Sequence, residues 1–274
     1  LAYDEGYLLK VVLTLLLFKL ITVPFFILLI SLAGKRWGSE IAGTLGGFPV
    51  VAGPIVFFLT LEQGVDFGLQ ASISAMYGTV GIMVFGLAYG WACQYWHYIP
   101  CLIAALLAWF VATYLLALLP TQLLYAVVIT LFFLFLIPHL LPKFAEQIQP
   151  TQNLKDLPLR VVVGALLTYL VTTQANDLGG VWSGLLSVFP SVSLVLAVFI
   201  HRSLGRLHVV QIFRGLSKGL YSFIAYFIIH ALLISYLPLW QTVLLSCVGS
   251  IVIQFCVQHA YKLQSKNAQV KIPS

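Results

Sequence analysis

Lys19, flanked by Phe18 and Leu20, is the basic residue set deepest in an apolar run of this chain. A charge inside a bilayer is costly and marks a functional position, unless its apolar stem lets the amine snorkel to an interface. Two other stretches offer matching chemistry. Gly43 to Pro49 reads GTLGGFP and Gly184 to Pro190 reads GLLSVFP, each within an apolar run. Proline removes an amide donor and clashes with the preceding turn, and the residue before it avoids helical angles. Gly43, Gly46 and Gly47 weaken the turn ahead of Pro49, and Gly179, Gly180 and Gly184 precede Pro190. Each run is therefore expected to break and to restart as a half-helix at its proline, a favoured first helical residue.

Helix N-termini present unbonded amides and partial positive charge, which suits anions. Ser191 and Ser193 add hydroxyls in the first turn of the second half-helix, where the first has Val50 and Ala52, so the site is expected to be lopsided. Lys19, Gly47, Phe48, Pro49, Phe189, Pro190, Ser191 and Ser193 make up the expected binding set. No Asp or Glu lies in the middle of a run; Glu40, Glu62 and Asp177 stand near run ends. This combination suits a small anion or an anion-bearing amphiphile. Packing kinks are the alternative reading of the prolines, since Gly and Pro are common in membrane helices.

Signals for catalysis are weak. HExxH, a Walker lysine and CxxC spacing are all missing from the sequence. Val181-Trp182-Ser183-Gly184 resembles a GxSG nucleophile turn but has Val181 in place of the first glycine. A serine nucleophile there would need a base, and His230 is the one histidine expected to be buried. The chain is thus read as neither an enzyme nor a metalloprotein, with no cofactor, and an intramembrane hydrolase using Ser183 and His230 is kept as a rival reading. Cys93, Cys101, Cys247 and Cys256 are expected to serve as small buried hydrophobes.

The elements that would carry these residues follow from composition. Of 274 residues, 61% are hydrophobic and 8% charged, against roughly a quarter charged in a soluble domain. Residues 67–142 contain no Asp, Glu, Lys or Arg, enough for three crossings at about 20 residues each. Apolar runs near 8–33, 39–61, 69–92, 98–119, 121–141, 158–176, 179–201, 208–234 and 237–260 predict an all-α polytopic membrane protein of about nine transmembrane helices. Lys35, Arg36, Lys143, Lys155, Arg160, Arg202, Arg206, Lys262, Lys266 and Lys271 then share one side and Lys10 the other. The positive-inside rule places the N-terminus outside and the C-terminus in the cytoplasm, in a plasma or inner membrane. Orientation accounts for the net charge of +6 without nucleic acid.

The two proline motifs are offset by 141 residues, and the same offset pairs Gly38 with Gly179, Gln70 with Gln211 and Gly78 with Gly219. With nine spans the offset carries span two onto span seven, so an inverted-topology repeat with broken helices at those spans is expected, as in secondary transporters. The expected divisions are 1–141 (first repeat and connecting helix), 142–157 (cytoplasmic loop), 158–261 (second repeat) and 262–274 (tail). Function is read as alternating-access transport in a lipid bilayer, driven by a proton or sodium gradient in the absence of an ATP motif. A lipid or lipid-phosphate translocase is the alternative.

Overall fold

The computed structural model of the chain describes residues 5–143, 156–175 and 179–270. Among them the fold is helical throughout. Eleven helices run α1 (Glu5–Trp37), α2 (Ser39–Gly46), α3 (Ala52–Gln63), α4 (Val65–Ala92), α5 (Tyr98–Ala117), α6 (Leu123–Leu140), α7 (Leu157–Ala175), α8 (Gly179–Ser187), α9 (Ser191–Leu204), α10 (Arg206–Leu233) and α11 (Leu239–Val270). Lipid cannot satisfy an open backbone, so helices are the natural solution for so apolar a chain. Three corners between helices are single glycines with positive φ, Gly38 (93°), Gly64 (92°) and Gly205 (86°). Only a residue without Cβ turns the chain there at little cost.

Six helical segments among the described residues are long and apolar enough to cross a bilayer: Val65–Ala92, Tyr98–Ala117, Leu123–Leu140, Gly184–Leu204, Arg206–Leu233 and Leu239–Leu263. This corrects the expectation of about nine spans and, with it, the inverted repeat. The run 39–61 is not one crossing helix but α2 and α3, of 8 and 12 residues. At 1.5 Å per residue these are about 12 and 18 Å long, short of a hydrocarbon core of about 30 Å. The GTLGGFP motif therefore sits outside the six spans and GLLSVFP within one. The two motifs do not occupy equivalent spans, and the five-span displacement that implied opposite orientations is gone. In the sixth run, the described apolar segment is the short Leu157–Leu167. The connection expected at 142–157 falls, for 144–155, outside the described residues.

Helices α4 and α10 pack on each other at the centre. In their most apolar windows 83% and 61% of residues are buried, against 28%, 22% and 17% in α5, α6 and α11. Those three outer helices carry long apolar exposed stretches, including Leu107 and Phe110, Val128 and Phe135, and Val248 and Phe255. Such continuous apolar surface needs lipid beside it. The chain is an integral, polytopic α-helical membrane protein. Several inner hydroxyls close on their own helices: Thr60 donates to the Val56 carbonyl, Ser217 to Phe213 and Ser246 to Thr242. That arrangement satisfies a polar side chain without water.

The seam between α2 and α10 is backbone against backbone. A Cβ on Gly43 would overlap the Ile212 carbonyl, one on Gly215 the Glu40 carbonyl, and one on Gly219 the Thr44 carbonyl. Gly43 and Gly47 face Gly215 and Gly219 in the small-xxx-small pattern of close membrane helix pairs. Gly43 is thus a packing residue inside α2 rather than a weak point ahead of the proline. Helix α8 approaches α4 in a similar way, with Gly184 against Ala71 and Ser74. At one end of the α2/α10 seam Lys218 pairs with Glu40 and lies 4.6 Å from the centre of the Tyr261 ring.

Candidate binding site at the helix interruptions

Helical hydrogen bonding stops at 47–51 and again at 188–190. The local pattern is the same at both places. Ahead of Pro49, the Gly47 amide donates to Thr44 at 3.1 Å and Phe48 to Leu45 at 3.3 Å; ahead of Pro190, Val188 donates to Leu185 at 3.3 Å and Phe189 to Leu186 at 3.0 Å. These i→i−3 bonds tighten the last turn, and the proline then has no amide to continue the ladder. The next helix starts on the proline carbonyl, which accepts from Gly53 (2.9 Å) after Pro49 and from Leu194 (2.7 Å) after Pro190.

Both prolines are buried. Gly47 packs on Gly219 of α10, and Val188 lies against Gly78 of α4. Phe189 meets Trp109 of α5 edge to face at 5.0 Å. Helix α2 touches α9 while α3 touches α8, so the two interrupted segments run antiparallel side by side. Around the turns Phe48, Val50, Val51, Phe189, Ser191 and Val192 are all part-exposed, whereas Ser193 is buried.

The amides are partly committed. Ser191 N–H donates to the Phe189 carbonyl at 2.7 Å, and the Ser191 hydroxyl reaches the same oxygen at 3.4 Å. No backbone acceptor among the described residues takes the amides of Val192 and Ser193 at the start of α9, or of Val50, Val51 and Ala52 at the start of α3. Unbonded donors of this kind are what a helix start leaves over. The asymmetry expected from Ser191 and Ser193 persists, with Val50 and Ala52 at the other turn. Lys19 lies in α1, and its side chain is outside the described residues, as is that of Ser183.

A small cleft of about 10 Å³ lies elsewhere, between α4, α6 and α10, and is lined by apolar groups such as Met83, Gly86 and Phe213 beside Ser217. No group of three or more His, Cys, Asp or Glu side chains that could hold a metal occurs among the described residues. Cys93 and Cys101 are buried and free, but Cys247 and Cys256 are exposed on the lipid-facing α11, so only two of the four cysteines are interior. Burial pushes the Cys93 thiol, just past the end of α4, up to about 12.

Three features were not drawn from the sequence. His230 is fully buried, as expected, and what was not foreseen is its partner: Nδ1 is 2.9 Å from Ser72 Oγ of α4. Ser72 Oγ also lies 2.7 Å from the Gly68 carbonyl, to which its proton goes. Nδ1–H then donates to Ser72, which leaves Nε2 as an acceptor without a partner. Tyr226 stacks on the ring at 5.9 Å. A serine whose proton is given to a carbonyl is not activated by that histidine. The second feature is the Glu40–Lys218 pair, and the third is the buried Arg160 of α7. Only spacing along one helix is visible in a sequence, and these contacts join positions far apart in the chain.

Comparison with protein-family models, curated proteins and solved structures found no match to this chain.

Proposed function

We propose that this membrane protein is a secondary transporter for a small anion, or for an amphiphile with an anionic group, bound where α3 and α9 begin. The observation that carries the reading is the pair of proline interruptions, packed antiparallel against α4 and α10, with unbonded amides at both helix starts. Backbone donors inside a membrane bundle are retained where they face a polar space or a ligand. The positive ends of two helices favour a negative ligand, and Lys19 would add charge from α1. Phe48 and Phe189 would flank the ligand, and Gly47 and the two prolines would hold the turns open. Alternating access would come from bending at 47–51 and 188–190 against the rigid central pair, with a proton or sodium gradient as the driving force. No residue is given a catalytic role.

Ser193→Ala tests the site. Losing one hydroxyl donor to a charged group costs about 1.5–3 kcal/mol, so the KM for anion uptake into proteoliposomes should rise about tenfold or more. Maximal flux should change less than KM. A KM equal to that of the unsubstituted protein removes Ser193 from the ligand.

A further inference from the structure

Arg160 lies in the first turn of α7 and is completely buried. Its guanidinium sits over the Phe199 ring of α9 at 5.6 Å, yet Nε, Nη1 and Nη2 have no hydrogen-bond partner among the described residues. A ring face attracts a cation but accepts none of its protons in a directed bond. The first turn is also the positive end of its helix, the unfavourable end for a cation. Asp156, one turn earlier, accepts the Arg160 backbone amide at 3.0 Å through its carbonyl; its negative charge favours the guanidinium from a distance, but the carboxylate bonds none of the three guanidinium nitrogens. A buried charge left in this condition is strongly unfavourable.

A second buried group shares the defect. Ser31 of α1 is 0% exposed and its Oγ has no partner among the described residues. A Cβ on Gly164 of α7 would strike Ile27 of α1, which fixes the register of the two helices. The Arg160–Phe199 contact puts the start of α7 beside the later turns of α9, and α2, entered from α1 through Gly38, touches α9 as well, so α1 and α7 are read as antiparallel. One turn forward from Ile27 is Ser31, and one turn back from Gly164 is Arg160. The two unsatisfied side chains therefore stand at one level of the α1/α7/α9 junction.

We propose that Arg160 and Ser31 bind a phosphate group at this junction. The guanidinium fork matches two phosphate oxygens, and the serine hydroxyl approaches from the opposite helix for a third. A carboxylate has only two oxygens for these donors. Lys35 and Arg36 in the last turn of α1, Arg202 in the last turn of α9 and Arg206 at the start of α10 add positive charge that draws a multivalent anion in. The torsions of the arginine stem let the fork swing from Phe199 toward that anion. This site is separate from the proline turns, since Phe199 stands nine residues beyond Pro190, about 13 Å along α9. It does not depend on the transport reading.

The source is a free phosphate or a lipid headgroup, and two arms of one experiment distinguish them. The protein is placed in nanodiscs of zwitterionic lipid, and thermal unfolding is followed in inorganic phosphate against chloride at equal ionic strength. In the second arm phosphatidic acid is added to the same lipid in chloride. A midpoint raised by several degrees with inorganic phosphate identifies the free anion, and a rise with phosphatidic acid alone identifies the headgroup. In either case the rise should vanish in Arg160→Gln. If that variant does not fold, Ser31→Ala serves in its place, with the ligand concentration for half the effect raised severalfold. No rise in either arm overturns the proposal, and so does a rise that the substitution leaves unchanged.

Discussion

Replacing Gly215 by alanine should unfold the α2/α10 seam. The added methyl would occupy the space of the Glu40 carbonyl oxygen, with the Glu40 carbonyl carbon at 2.7 Å. Overpacking a core typically costs about 1–3 kcal/mol when side chains can move aside. Here the obstacle is backbone on a helix that also carries Gly43 against Ile212 and Thr44 against Gly219, so a cost above about 3 kcal/mol is expected. Gly46→Ala, on the same short helix, is the matched control. Its nearest neighbours would be the Ile30 and Leu216 methyls, both at 3.8 Å, and helix propensity alone favours the change by up to about 1 kcal/mol. Thermal unfolding of the two purified variants checks the contrast. Equal midpoints would mean that the helices are not in backbone contact.

The second large effect concerns transport. The double substitution Pro49→Leu and Pro190→Leu returns an amide to each interruption, and the Leu45 and Leu186 carbonyls are positioned to receive those amides in a continued helix. An interior proline costs about 3 kcal/mol, so the variant should be at least as heat-stable as the parent. Its anion flux in proteoliposomes should fall by about tenfold or more, because straightened helices bond the donors on which the ligand depends. A stable double variant with full flux would leave the turns as packing kinks.

Much of this molecule can be read from its residues, and the remainder fails for definable reasons. Membrane insertion follows from a charge content too low for a water-facing surface. The positions of the interruptions follow from Pro49 and Pro190, because a missing amide is a local property. Span number does not follow from apolar length. Residues 39–61 are hydrophobic enough to cross, but the break leaves two pieces that do not. Gly43 illustrates a further limit: the reason for its missing side chain is the Ile212 carbonyl, 169 residues away. The positive-inside pattern likewise absorbed Arg160 as one more basic residue, although its burial and its empty hydrogen-bond positions set it apart from Arg202 and Arg206 on the exposed surface. His230 was expected to be interior; that its partner would be Ser72 depended on how α4 and α10 pack.

Water access to the turns is the most direct test of the account. In a variant with Cys93, Cys101, Cys247 and Cys256 replaced, single cysteines are placed by Val50→Cys, Val192→Cys and Val252→Cys, and each is exposed to a charged methanethiosulfonate. Thiols react as thiolates, which need water. The first two positions should be modified, more slowly in the presence of the transported anion, and the third, on the lipid face of α11, should stay unmodified. Should positions 50 and 192 prove as inert as 252, no polar site lies between the interruptions and the proposed function falls.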